Sequence, residues 1–162
     1  MDRDAVLALL KSRGIPFELT EHRAVYNMAD LAEIVLPHPD ADAKNLFVRD
    51  DKRQSYYLIT VKGEKRVDLK AFRHAHCTRP LSFASNEDLA AFLALTPGSV
   101  TPLGLLNDET RRVALFIDEA LLEGDGLIAV HPNDNTATIC LKTADLIALL
   151  REQEHPVETA QL

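Results

Sequence analysis

Ala43-Lys44-Asn45-Leu46-Phe47-Val48, the polar turn Asp50-Asp51-Lys52-Arg53-Gln54 and Ser55-Tyr56-Tyr57-Leu58-Ile59-Thr60-Val61 follow one another in the first half of the chain. Two runs rich in β-branched and aromatic residues thus flank a charged loop, the pattern of an antiparallel hairpin. Three further strands are expected over Val113 to Ile117, Gly126 to Val130 and Thr136 to Leu141, with a shorter one at Leu81-Ser82-Phe83. Pro16 to Leu19 reads as a short extended piece, and Pro37-His38-Pro39-Asp40 as a loop.

Helical spacing appears between these runs. Val6, Leu9 and Leu10 lie on one face of a first helix, with Asp2 at its N-cap and Gly14 at its stop. Asn27 to Val35 predicts a second helix and Val67 to Ala75 a third. Ser85, with Asp88 three residues on, opens a fourth, and Thr143 is expected to cap a last one through Leu150. Strands and helices do not alternate strictly, so the expectation is an α+β fold with a mixed, mainly antiparallel sheet and flanking helices. The 162 residues are expected to form a single domain, 1–162, with residues 155–162 as a loose tail.

Composition narrows the function. The chain is 46% apolar and 27% charged, and its formal net charge is −7, so a general nucleic-acid coat is excluded and no DNA partner is expected. Cys77 and Cys140 are the only cysteines, too few for a disulfide framework. The start carries no signal-peptide pattern and no uncharged run is long enough to span a bilayer, so a cytoplasmic protein without membrane contact is expected.

One segment reverses the charge. Lys62, Lys65, Arg66, Lys70, Arg73 and Arg79 face only Glu64 and Asp68, a local net charge of +4. That segment fits a focused phosphate contact or, more blandly, a solvated helix with its turn. His74-x-His76-Cys77 holds metal-ligand types, but residues two apart on a helix point apart and no second cluster completes a site, so no metal is expected.

Three further features sit where chemistry is often placed. Lys44 begins an apolar strand, and a lysine there costs desolvation unless it meets an anion or reaches solvent. Gly98, in Thr96-Pro97-Gly98-Ser99-Val100-Thr101-Pro102, permits close approach of backbone N–H groups to a carbonyl, or simply makes a turn. His131 stands at a strand end before Pro132-Asn133-Asp134-Asn135-Thr136, a position shared by functional sites and plain hairpin loops. No G-x-S-x-G elbow and no cysteine-protease signature is present, which argues against a covalent hydrolase.

Five strings taken in order carry a resemblance: Lys44 to Asp50, Lys65 to Lys70, Leu81 to Ser85, Gly98 to Asp108, and His131 to Thr138. Together they resemble the free-standing prolyl-tRNA editing proteins of the YbaK/ProX superfamily, over about residues 3 to 150. The loop Gly98-Ser99-Val100-Thr101-Pro102 is closest to the alanine-specific branch, the Ala-tRNA(Pro) deacylases.

The resemblance implies hydrolysis of the ester between a mischarged amino acid and the tRNA 3′ end, without metal or organic cofactor. It implies that Lys44 holds the terminal adenosine or its phosphate, that Asn45 orients the ester, and that Gly98 offers backbone N–H to the scissile carbonyl. His131 matches the pocket histidine and Arg79 a basic residue of acceptor-stem binding. Tyr26, Met28 and Ile34 are expected to wall the side-chain pocket, with Ser99 and Pro102 beside it. Lys65, Arg66, Lys70 and Arg73 would add tRNA contacts. The implied chemistry is substrate-assisted, a ribose hydroxyl helping to activate water, with His131 as direct base the alternative. The partners implied are the tRNA(Pro) acceptor end and prolyl-tRNA synthetase. Two other readings stay open: deacylation of Cys-tRNA(Pro) or another small-amino-acid tRNA, and a non-catalytic tRNA-binding module.

Overall fold

The expected antiparallel hairpin forms. In the computed structural model, which describes residues 1–162 apart from Met28, Leu31, Ala32 and Glu64, strands β2 (Ala43–Asp50) and β3 (Tyr56–Lys62) pair antiparallel from Ala43↔Lys62 to Arg49↔Tyr56. The turn between them is closed by Asp50, whose buried carboxylate accepts the Gln54 N–H at 2.8 Å. Tyr56, Leu58, Ile59, Thr60 and Val61 of β3 are all buried, so both faces of that strand are covered. A near-continuous apolar run is the sequence mark of such a strand.

The remaining elements are α1 (Arg3–Ser12), β1 (Phe17–Glu21), α2 (Leu69–His76), β4 (Leu81–Phe83), α3 (Asn86–Leu93), β5 (Val113–Asp118), β6 (Leu127–Val130), β7 (Ala137–Lys142), α4 (Thr143–Glu152) and β8 (Val157–Ala160). Short 3-10 turns occupy Pro39–Ala41, Pro102–Asn107 and Glu119–Leu122. The strands form two sheets where one was expected. A five-stranded sheet runs β4-β2-β3-β5-β8, with β3–β5 and β5–β8 parallel, and a three-stranded antiparallel sheet runs β1-β7-β6. β2 pairs with β3 along nearly its whole length and with β4 only over Val48–Asp50, and the two sheets meet at the opposite end of β2, at the Asp42↔Ala129 bridge.

Capping follows the sequence at two of three helices and departs at the third. The Asp2 carboxylate accepts the Ala5 N–H at 2.9 Å, and Ser85 and Asp88 form a reciprocal capping box, a device worth about 1 kcal/mol. Thr143, expected as a cap, lies inside α4 and donates its hydroxyl to the Leu121 carbonyl at 2.7 Å. It is fully buried, and its hydroxyl satisfies a neighbouring turn. The second helix expected at Asn27 to Val35 depends on residues 28, 31 and 32, which lie outside the described residues.

The tail also differs from expectation. Residues 157–160 form β8, paired in parallel with β5 from Leu115↔Val157 to Asp118↔Ala160. The outer edge of β5 would otherwise leave its ladder groups unpaired, and Val157 is buried against the core. Val6 and Leu10 of α1, Leu58, Leu115 and Ile117 of the larger sheet, Ile128, Ile139 and Leu141 of the smaller, and Leu146 and Leu150 of α4 make one apolar cluster. A second cluster, Val48, Ile59, Val61, Phe72 and Phe116, seats α2 on the other face of the larger sheet. Among the described residues no helix is long and apolar enough to cross a membrane.

Candidate active site

A pocket of about 300 Å³ opens where the two sheets meet. Ala43, Lys44 and Asn45 enter it from the start of β2, Ala129, Val130 and His131 from the end of β6, and Thr138 from β7. Val25, Tyr26 and Asn27 form one wall, and Gly98 and Val100 close the side between. Lys44, Asn45, Gly98, His131 and Tyr26, far apart in the chain, are thereby brought together.

Each of these positions has a local cause. Asn45 is pinned at both ends of its amide: Nδ2 donates to the Val100 carbonyl at 3.3 Å, and Oδ1 accepts the Thr60 hydroxyl at 2.7 Å. That pair of bonds fixes the orientation of the amide and ties β2 to the Gly98 loop. Gly98 adopts φ +89°, and a Cβ there would sit 2.9 Å from Tyr26 Cδ1 and 3.1 Å from the Val25 carbonyl oxygen. Only glycine suits both the conformation and the approach. Asn135 holds the same wall from behind: its Nδ2 donates to the Val25 carbonyl at 3.0 Å, and its own carbonyl accepts the Val25 N–H at 3.2 Å. The turn Asp134–Thr136 therefore positions the pocket wall.

Lys44 is half-buried and supplies the pocket's positive charge; the ion pairs formed among the described residues leave it out. Among the described residues, no aspartate or glutamate lines the pocket. His131 directs Nδ1 at the Ala137 carbonyl, 2.8 Å away. A carbonyl only accepts, so Nδ1 carries the proton and Nε2 offers a lone pair. Burial is the main influence holding this imidazole below its ordinary 6.5; the Ala137 bond opposes it and His22, whose ring centroid is 6.1 Å away, adds to it. His131 is thus the neutral form at neutral pH. Burial, with Glu18 and Asp42 nearby, pushes the Cys140 thiol up to about 11, where it is a poor nucleophile.

Other expected site residues are placed elsewhere. Ser99 is buried, with its hydroxyl bonded to the Thr96 carbonyl at 2.8 Å, and Pro102 is buried at the start of a 3-10 turn. Neither lines the pocket, nor does half-buried Ile34; Met28 lies outside the described residues. Lys65, Arg66, Lys70, Arg73 and Arg79 do not line it either. Lys65 is paired with Asp118, and Arg79 makes two bonds to the Asp51 carboxylate, at 2.7 and 3.0 Å. Arg66 and Lys70 are exposed and Arg73 half-buried. Val25, Asn27, Ala43, Val100, Ala129, Val130 and Thr138 were not foreseen. Their one signal is position, beside a charged or glycine residue at a strand end or loop.

Among the described residues the pocket thus brings together the Lys44 ammonium, the His131 imidazole and the Gly98 turn, groups able to bind an anion and to position a reacting carbonyl. The aminoacyl-tRNA editing domain model matches residues 22–149, a span that contains every element of the pocket, and the chain belongs to that family. It is accordingly an aminoacyl-tRNA deacylase, a hydrolase. Among its relatives is the prolyl-tRNA editing protein ProX of Acetoanaerobium sticklandii, 38% identical over the whole of both chains. The prolyl-tRNA synthetase associated domain-containing protein 1 of Danio rerio is 31% identical, with 90% of this chain and 79% of that protein covered. A solved structure described as a candidate trans-editing enzyme for prolyl tRNA synthetase matches with a TM-score of 0.73 at 24% identity, over 99% of this chain and 95% of the other. That likeness shows a shared fold.

Proposed function

We propose that this protein edits in trans, hydrolysing alanyl-tRNA(Pro) left by prolyl-tRNA synthetase. The observation that carries the reading is the convergence of Lys44, Gly98 and His131 on one pocket of about 300 Å³. A synthetase pocket shaped for proline rejects a smaller amino acid weakly, because a missing methylene is worth only about 1 to 3 kcal/mol. A second, narrower site removes the error.

In this reading Lys44 engages the phosphate or ribose of the terminal adenosine. The Gly98 N–H, which has no backbone acceptor among the described residues, donates to the ester carbonyl as negative charge develops on its oxygen. One such donor is worth roughly a hundred- to a thousandfold in rate. Asn45, its amide fixed, keeps the Gly98 loop in register with Lys44. A ribose hydroxyl of the substrate helps to activate water, and the ester's own reactivity makes a protein nucleophile unnecessary. Arg66, Lys70, Arg73 and Arg79 are the basic groups offered to the acceptor stem.

The test is a panel of alanyl-, cysteinyl- and prolyl-tRNA(Pro). Loss of the alanyl ester alone supports the reading. Preferential loss of the cysteinyl ester moves the specificity, and binding without turnover of any of the three replaces the enzyme with a tRNA-binding module.

A further inference from the structure

His22 and Thr138 form a pair that the mechanism above does not use. His22 Nδ1 lies 2.7 Å from the Arg23 carbonyl oxygen, and its Nε2 lies 2.7 Å from Thr138 Oγ1. Since the carbonyl only accepts, Nδ1 carries the hydrogen and Nε2 of the neutral ring is an acceptor. The Thr138 hydroxyl proton is therefore spent on His22. Thr138 is only 5% exposed and lines the pocket, so what its oxygen has left to offer there is lone pairs.

His131 is set the same way, with Nδ1–H on the Ala137 carbonyl and Nε2 left as an acceptor. The pocket's inner side thus holds two acceptors, Thr138 Oγ1 and His131 Nε2, while among the described residues its lining has no carboxylate and its cation is Lys44. The amide oxygen of Asn45 is already engaged by Thr60. This arrangement suits a group that brings its own hydrogens and whose charge needs no carboxylate partner.

Building on the deacylase reading, we propose that Thr138 Oγ1, held as an acceptor by His22, receives a hydrogen bond from the α-amino group of the bound aminoacyl ester. Thr138 is then a substrate-contacting specificity residue, and His22 a positioning residue that acts through it. The pair distinguishes an aminoacyl ester from a simple acyl ester of the same size.

The experiment compares tRNA(Pro) carrying alanine with tRNA(Pro) carrying propionate, which lacks only the amino group, for the wild type, Thr138→Val, Thr138→Ser and His22→Phe. The readout is the alanyl-to-propionyl ratio of kcat/KM, in which the intrinsic reactivities of the two esters cancel between variants. Thr138→Val should lower that ratio by roughly ten- to a hundredfold. Thr138→Ser should restore it, and His22→Phe should lower it part of the way. A ratio unchanged in Thr138→Val, whether both rates fall together or neither falls, overturns the proposal while leaving the deacylase reading intact. Wild-type protein that hydrolyses neither ester overturns both.

Discussion

Lys65 Nζ lies 2.7 Å from Oδ2 of Asp118, a carboxylate whose side chain is 1% exposed. Burial alone would raise this carboxyl, but the Lys65 ammonium and the N–H groups of Ala120 and Lys62 outweigh it and hold it below the ordinary 3.8. One of the basic residues of the Lys62 to Arg79 segment is thus committed to the protein's own fold. Removing it strands a buried charge on the last residue of β5.

Lys65→Met should therefore destabilise the protein by about 1 to 3 kcal/mol near neutral pH. The lowered Asp118 contributes stability that is present above the unfolded carboxyl value and is lost as the pH falls through the folded one. Urea unfolding of the two proteins should accordingly converge at strongly acid pH. Arg66→Ala and Lys70→Ala, by contrast, should leave the unfolding midpoint in place and reduce the salt dependence of tRNA binding by about one unit of slope each.

The Gly98 turn should tolerate no side chain. Gly98→Ala combines a positive φ with a Cβ 2.9 Å from Tyr26 Cδ1 and 3.1 Å from both Tyr26 Cα and the Val25 carbonyl. A cost of about 1 to 3 kcal/mol in stability is expected. Because the displaced atoms are the pocket wall itself, kcat/KM should fall at least about tenfold in the protein that remains folded. Thermal unfolding alongside single-turnover rates separates the two effects.

His131 and His155 give the protein a sensitivity to mild acid. Burial leads in lowering both: at His131 the bond to the Ala137 carbonyl opposes it, and at His155 Arg111 adds to it while Asp108 opposes. A lowered histidine contributes stability that is complete above the unfolded value of about 6.5 and erodes as the pH falls toward the folded value. The urea midpoint should drop between about pH 7.5 and about pH 5.5. His155→Asn should flatten that drop, since its ring is buried with Nδ1 lacking a partner among the described residues. A slope unchanged by the substitution would assign the whole effect to other groups.

The hairpin, the capping box at Ser85 and the helix over α2 were legible because local patterns dictate them: two β-rich runs about a polar turn, a Ser-x-x-Asp spacing, a helical stretch from Val67 to Ala75. The pairing of strands was not. That β7 pairs with β1 while β6 meets the larger sheet only at the Asp42↔Ala129 bridge is decided between segments far apart in the chain, and no window of sequence holds that information. The same limit hid β8, whose Val157-Glu158-Thr159-Ala160 has one strong apolar residue and gains its ladder from β5. At the site, Lys44, Gly98 and His131 were visible as chemically unusual residues at element ends. Val25, Ala129 and Val130 were not, because an apolar residue lining a pocket is indistinguishable in sequence from one filling the core. Thr138 reads as an ordinary strand residue until His22, 116 residues away, is seen bonded to it.

Truncation after Pro156 tests the reassigned tail. Loss of the β5–β8 ladder and of the buried Val157 side chain should cost roughly 2 to 4 kcal/mol. Equal unfolding midpoints for the full and shortened chains would mean that the strand adds nothing to the sheet.

The central claim is that Lys44 anchors a tRNA end so that the ester meets the Gly98 loop. Single-turnover hydrolysis of alanyl-tRNA(Pro) by the wild type and by Lys44→Ala tests it most directly. The account predicts rapid loss of alanine with the wild type, and a rate at least about a hundredfold slower with Lys44→Ala, whose fold should be unaltered. Equal rates for the two proteins, or no hydrolysis by the wild type, would contradict it.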